Sequence, residues 1–172
     1  MKLSTIQTIC RALNEAGVNY LVVGGVAVNS YGYIRATQDL DLVVALSEDN
    51  ARAAMETLTS LGYKPRVPVQ AEEFVDPDKR RRWIKEKGMT VFSMFNDNWP
   101  ETTVDVFVDE PFDFDTEHES AEIHPIGAGV DVPFISIESL IDMKEQVGRD
   151  RDRDDVTHLR WILQERGAGD KE

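Results

Sequence analysis

The stretch from Tyr20 to Val44 constrains this chain more than any other, and its centre is Asp39-Leu40-Asp41. Two carboxylates one residue apart on a strand project to the same side of it. Two negative charges held that close repel unless a cation sits between them. Hard divalent ions with oxygen ligands are the usual answer, Mg²⁺ first and Mn²⁺ as the other possibility. Upstream, Leu21-Val22-Val23 reads as a short apolar strand that ends in Gly24-Gly25. A glycine pair can turn tightly and bring backbone N–H groups close to a phosphate. Residues 26–38 then leave room for a helix and a return connection before Asp39. A phosphate-binding turn and a metal-binding carboxylate pair on neighbouring strands read as a site for a nucleoside triphosphate.

The remaining pattern alternates helices and strands. Ser4, Ile6, Ile9, Cys10 and Leu13 predict a helix over 4–16, capped by Ser4 and stopped by Gly17. Tyr20 to Val23 is the first strand, and 26–31 a short helix pointing at the glycine turn. Asp39 to Leu46 alternates, with Leu40, Leu42 and Val44 toward the core and the two acids toward a cleft. Ser47 then caps a helix to about Leu61. Strands follow over 89–95 and 103–108, joined through Asn96-Asp97-Asn98-Trp99-Pro100. Short strands at 121–123 and 130–135 are expected at the periphery. Ser136 caps a helix over 137–147 that presents Lys144. A last helix over about 152–165 carries Leu159 and Trp161 toward the body, and 167–172 reads as a frayed tail. The expected architecture is one α/β (α+β) domain over residues 1–172, a small mixed sheet flanked by helices.

The order Gly-Gly, helical spacer, Asp-x-Asp resembles the nucleotidyltransferase superfamily, which includes DNA polymerase beta and small antibiotic-modifying nucleotidyltransferases. The string from Val23 to Leu42 looks closer to one branch, the bacterial and archaeal nucleotidyltransferase-like proteins related to abortive-infection toxins. Members of that branch carry Arg-x-Thr before the Asp-x-Asp, matched here by Arg35 and Thr37. The superfamily's third carboxylate matches Asp105 between Val104 and Val106. A late Lys followed by Gly-Arg-x-x-Asp-x-x-Asp matches Lys144, Gly148, Arg149, Asp152 and Asp155. The four elements occur in the family's order across residues 3–166. One departure is Val26, where the polymerase-type motif places a Ser whose hydroxyl contacts the triphosphate.

The resemblance implies transfer of a nucleoside monophosphate from an NTP to an acceptor hydroxyl, with release of pyrophosphate. Asp39, Asp41 and Asp105 are the expected catalytic residues and ligands of a two-ion Mg²⁺ site. Gly24, Gly25, Arg35, Thr37 and Lys144 are the expected nucleotide-binding residues. Arg35 suits a phosphate contact, because a guanidinium grips two oxygens at once. The acceptor stays open among tRNA, protein and small molecule. The alternative is a non-catalytic nucleotide-binding or regulatory module, such as one component of a toxin–antitoxin pair with a partner protein.

Each of these residues also has a plainer role open to it. Arg149, Asp152 and Asp155, with Arg151, Arg153 and Asp154, suit a solvated helix start as well as a site. Lys79, Arg80, Arg81, Arg82, Lys85 and Lys87 form a basic cluster that reads as a solvated face or as a docking patch for a polyanion. Tyr31 and Tyr33 read as packing residues. His118, His124 and His158 are too scattered for a zinc site.

The formal net charge of −13 argues against a broadly basic nucleic-acid surface. A single cysteine, Cys10, fits core packing and a reducing cytoplasm. No apolar run is long enough to span a bilayer, and the basic start of a signal peptide is missing.

Overall fold

The computed structural model describes residues 1–127 and 129–169. A seven-stranded mixed sheet carries the fold: β1 (Tyr20–Val23), β2 (Asp39–Val44), β3 (Lys64–Pro65), β4 (Val91–Phe95), β5 (Thr103–Phe107), β6 (Glu122–Ile126) and β7 (Val130–Phe134). Their order across the sheet is β3-β4-β5-β2-β1-β7-β6. The helices are α1 (Leu3–Glu15), α2 (Gly24–Ser30), α3 (Glu48–Ser60), α4 (Pro77–Lys87), α5 (Phe114–Glu119), α6 (Ile137–Val147) and α7 (Asp150–Gly169), with a 3₁₀ turn over Ala71–Val75. Among the described residues no helix is long and apolar enough to cross a membrane.

The centre of the sheet places the site. β2 runs antiparallel to β1 and parallel to β5, so Val23 pairs with Asp41 and Asp41 with Asp105. β4 completes the row, with Ser93 opposite Asp105. Leu40, Leu42, Val104 and Val106 alternate with these polar positions and are fully buried, as the two-residue period of a strand requires. The four residues of β1 are buried on both faces, which its position between β2 and β7 explains.

Several expectations shift. Ser4 is not the cap of α1, because the helix begins one residue earlier with Lys2 at the capping position and no side-chain cap. The α2 helix starts at Gly24 rather than at Val26. β7 is not peripheral: Val132 and Phe134 are fully buried, and the strand pairs in parallel with β1. β3 and α5 are elements that the sequence pattern did not mark. The last helix is longer at both ends and runs through Gly169, so part of the expected tail is helical; residues 170–172 lie outside the described residues. Trp161 is 56% exposed rather than turned inward. The inward stripe of α7 is Asp152, Asp155, Val156 and Leu159, and Trp161, two residues past Leu159, falls on the far side of a 3.6-residue turn. It rests edge-on against His158, which in turn stacks on Tyr33.

Cys10 is buried in α1 and its thiol is pushed up to about 12 by that burial, which keeps it from acting as a nucleophile. Half of the basic cluster on α4 is satisfied within the protein, and Arg82, Lys85 and Lys87 are exposed. Arg80 is buried and donates to the carbonyls of Phe74 and Val75, Lys79 pairs with Glu73, and Arg81 pairs with Asp78. None of these residues lines the central cavity.

Candidate active site

All eight residues expected from the sequence line one cavity of about 280 Å³. Asp39, Asp41 and Asp105 come from β2 and β5, Gly24 and Gly25 from the β1–α2 turn, Arg35 and Thr37 from the α2–β2 loop, and Lys144 from α6.

Both glycines are required by close approach. Gly24 has a φ of +64°, and a Cβ there would lie 2.0 Å from Asp41 Oδ2, well inside any allowed contact. A Cβ on Gly25 would lie 2.6 Å from Thr37 Oγ1 and 3.1 Å from Arg35 Nη1. The glycine pair therefore lets the Asp41 carboxylate, the Thr37 hydroxyl and one guanidinium nitrogen crowd around a single turn. Asn29 secures the loop from behind, accepting from the Arg35 backbone N–H at 3.0 Å and donating to the Arg35 carbonyl at 2.9 Å. Val26, at the position of the missing serine, lines a separate cavity with Leu3 and Ile6 and not the central one.

The carboxylate floor is electrostatically strained. Burial pushes the Asp41 carboxyl up to about 7, with the charges of Asp105 and Asp39 adding to it; a bond from the Gly25 N–H and the nearby Lys144 pull it back in part. Asp41 keeps some surface open to the cavity but is densely surrounded by protein. Burial also raises Asp105, against the Ser93 hydroxyl and with the help of Asp39. Asp105 Oδ1 is buried with no hydrogen-bond partner among the described residues. Buried anionic oxygens without partners are costly, and an oxygen-seeking dication would satisfy them. Asp39, Asp41 and Asp105 are the side chains that could hold such an ion. Among the described residues, however, no three Asp, Glu, His or Cys side chains stand close enough to enclose an ion as they are.

The opposite wall is cationic and fully paired. Arg35 Nε and Nη2 donate to the two oxygens of Asp155 at 2.6 and 2.7 Å. Lys144 Nζ lies 2.7 Å from Asp155 and 3.3 Å from Asp152. Arg149 Nε reaches Asp152 at 2.9 Å. Burial alone would raise both Asp152 and Asp155, yet bonds from Arg149 and Lys144 hold the first below the usual carboxylate range, and bonds from Arg35 and Lys144 the second. Asp152 and Asp155, undecided between helix start and site, are the counter-ions of the wall.

The sequence did not mark the apolar lip, formed by Phe107, Leu140, Met143 and Val147. The signal was present. Phe107 lies two residues after Asp105 on the same strand, and 140, 143, 144 and 147 follow the i, i+3, i+4, i+7 spacing of one helix face. Arg151 was weighed only as part of a charge run; it lines the cavity and donates to the Ala36 carbonyl.

No protein-family model matches the chain, and no curated protein does. Solved structures do match. A lincosamide antibiotic adenylyltransferase, LnuA, with lincomycin bound, is similar at a TM-score of 0.53 and 15% identity, over 87% of this chain and 90% of that one. The chain has the nucleotidyltransferase fold. ANT(2'')-Ia in complex with adenylyl-2''-tobramycin is similar at a TM-score of 0.56 and 15% identity, over 98% of this chain and 91% of that one. An antigenic nucleotidyltransferase-like protein from Paracoccidioides brasiliensis matches at 0.55 and 15% identity, over 94% and 75% of the two chains.

Proposed function

We propose that this protein is a metal-dependent nucleotidyltransferase that moves a nucleoside monophosphate from an NTP to an acceptor hydroxyl. One observation carries the reading: a floor of three carboxylates, two of them strained by burial, and a wall of cations share one cavity within this fold. The floor suits divalent ions and the wall suits the phosphates those ions accompany.

In the proposed reaction the acceptor oxygen attacks the α-phosphorus in line. A new P–O bond forms as the bond to the β-phosphate bridging oxygen breaks, and pyrophosphate leaves with its electron pair. Mg²⁺, when bound, would ease loss of the acceptor's proton and neutralise charge on the leaving group. Asp39 and Asp41 would hold the ion on the nucleotide side. Asp105 would join them at the acceptor side and take the proton of the attacking hydroxyl. The Gly24–Gly25 turn, Thr37, Arg35 and Lys144 would hold the triphosphate in place. The lip of Phe107, Leu140, Met143 and Val147 gives an apolar body somewhere to rest beside the reacting atoms.

Among acceptors we favour a small molecule over tRNA or a protein. The net charge of −13 works against a polyanionic partner, the basic residues of α4 lie away from the cavity, and two of the similar structures carry antibiotics or an adenylylated antibiotic. The test is incubation with each labelled NTP, Mg²⁺ or Mn²⁺, and panels of aminoglycosides, lincosamides, RNA and extract protein. Label transfer to a small molecule with pyrophosphate release supports the reading. NTP binding without transfer to any acceptor would favour the regulatory alternative, including a toxin–antitoxin component.

A further inference from the structure

We propose that Asp155 is the positioning residue that fuses Arg35 and Lys144 into a single grip for a polyphosphate. Resting on the function proposed above, the inference assigns the grip to a side chain that does not itself reach the cavity. Arg35 and Lys144 line the cavity and Asp155 does not. Its carboxylate has no exposure at all, and the two cations are nearly as enclosed, with side-chain exposures of 14% and 8%.

Three elements meet at that carboxylate. Arg35 comes from the α2–β2 loop, Lys144 from α6 and Asp155 from α7. Two cations so close and so enclosed would repel without an anion between them. Asp155 accepts from both at 2.6–2.7 Å. The pairing is also directional. It consumes Nε and Nη2 of Arg35 and leaves Nη1 beside the Gly25 turn, 3.1 Å from where a Cβ would stand. Nη1 otherwise makes only a 3.2 Å contact with the Ala36 carbonyl at the exposed edge. A planar guanidinium pinned on one edge presents the other edge in a fixed orientation. Asp155 thereby aims one nitrogen of Arg35 at the phosphate turn and holds Lys144 Nζ beside the same guanidinium.

The test uses inorganic tripolyphosphate, with and without Mg²⁺, titrated calorimetrically into wild type and Asp155→Asn. The substitution keeps the shape and removes the charge. The expected result is binding at least tenfold weaker in Asp155→Asn, while the melting-point rise produced by Mg²⁺ alone is retained, because the carboxylate floor is untouched. In an Arg35→Ala/Lys144→Ala background, adding Asp155→Asn should change tripolyphosphate affinity by less than twofold, whereas a purely structural role would weaken every background alike. Wild-type affinity in Asp155→Asn, or no tripolyphosphate binding by the wild type, overturns the inference. Tripolyphosphate binding that depends on Asp155, without transfer from any NTP, would instead sink the transferase reading and leave the grip standing. If Asp155→Asn does not fold, Arg35→Lys decides. Lysine can pair with Asp155 but has no second prong, so binding at least fivefold weaker is expected, and unchanged binding overturns the proposal.

Discussion

The two sides of the cavity treat charge in opposite ways. The floor brings Asp39, Asp41 and Asp105 into one cavity with only partial relief from Lys144 and Arg66, so burial and mutual repulsion raise Asp41 and Asp105, and Asp105 Oδ1 has no hydrogen-bond partner among the described residues. The wall buries Arg35 and Lys144 together with Asp155 and Asp152, and those carboxyls are held below the usual range. A buried group satisfied within the protein belongs to the fold, whereas a buried group left wanting is built for something that arrives. On the function proposed here, the wall serves stability and geometry together, and the floor would serve the ligand at the expense of stability.

The largest expected effect on the folded state lies in the wall. Asp155→Ala leaves two buried cations without their shared anion, and breaking a buried pair by removing one partner costs about 3–5 kcal/mol. Urea unfolding followed by tryptophan fluorescence measures it. A loss below about 1 kcal/mol would mean that water enters the wall freely and the contrast with the floor is overstated.

The corresponding change in the floor should show in chemistry rather than in stability. Under the proposed mechanism Asp105→Asn removes the acceptor-side anion but leaves the triphosphate contacts in place. Transfer should fall by on the order of a hundredfold or more, the scale for losing one group that stabilises transition-state charge. Calorimetric binding of Mg²⁺–NTP should change by only a few fold. If affinity and rate fell together, Asp105 would be serving the ground state, and the division between the two ions would be wrong.

How far the sequence reached follows the same division. The floor was legible because its signals are local. Asp39 and Asp41 alternate with Leu40 and Leu42, Asp105 sits between Val104 and Val106, and Gly24-Gly25 closes an apolar run, so period and punctuation placed all five in one cavity. The wall was only half legible. Its central bond joins Arg35 to Asp155, 120 positions apart, and no local period encodes such a pairing. Asp152 and Asp155 look like ordinary residues of a first helical turn until α7 is seen packed against α6. The inner place of β7 was hidden for the same reason, since its pairing with β1 is set by topology. Lys64–Pro65 and Phe114–Glu119 are too short to carry a readable pattern.

A pH titration sharpens the contrast further. The folded-state carboxyl of Asp41 is raised to about 7, so it stays neutral in the cation-free fold well above the pH at which it ionises in the unfolded chain. Its contribution to stability is thus present at low pH and is lost as pH rises toward about 7. Without divalent ions, Asp41→Asn should be more stable than wild type by about 2 kcal/mol at pH 8, about half of what the full displacement would carry, because the carboxyl stays open to the cavity. At pH 5 the gain should shrink to well under half of that, and it should vanish only below about pH 4, where the carboxyl is protonated in the unfolded chain as well. The melting-point rise on adding Mg²⁺ should grow with pH in wild type and be weakened in the mutant, since the ion binds the folded, ionised floor. A gain for the mutant that is equal at pH 5 and pH 8 would locate the strain elsewhere.

The smallest effect is expected at the rim of the wall. Arg149 pairs with Asp152 through Nε, but its side chain is 76% exposed. Water already solvates that guanidinium, so the pair adds little beyond what solvent supplies. Asp152 would keep Lys144 as a partner and would also keep the Arg149 backbone N–H, which donates to it at 3.3 Å and survives any side-chain change. Arg149→Ala should therefore lower stability by no more than about 1 kcal/mol, read as a small shift in the urea midpoint with an unchanged slope. A loss as large as that of Asp155→Ala would show that Asp152 depends on Arg149 to stay ionised. The wall would then be one cooperative unit from rim to core, rather than a buried pair of cations with a solvated edge.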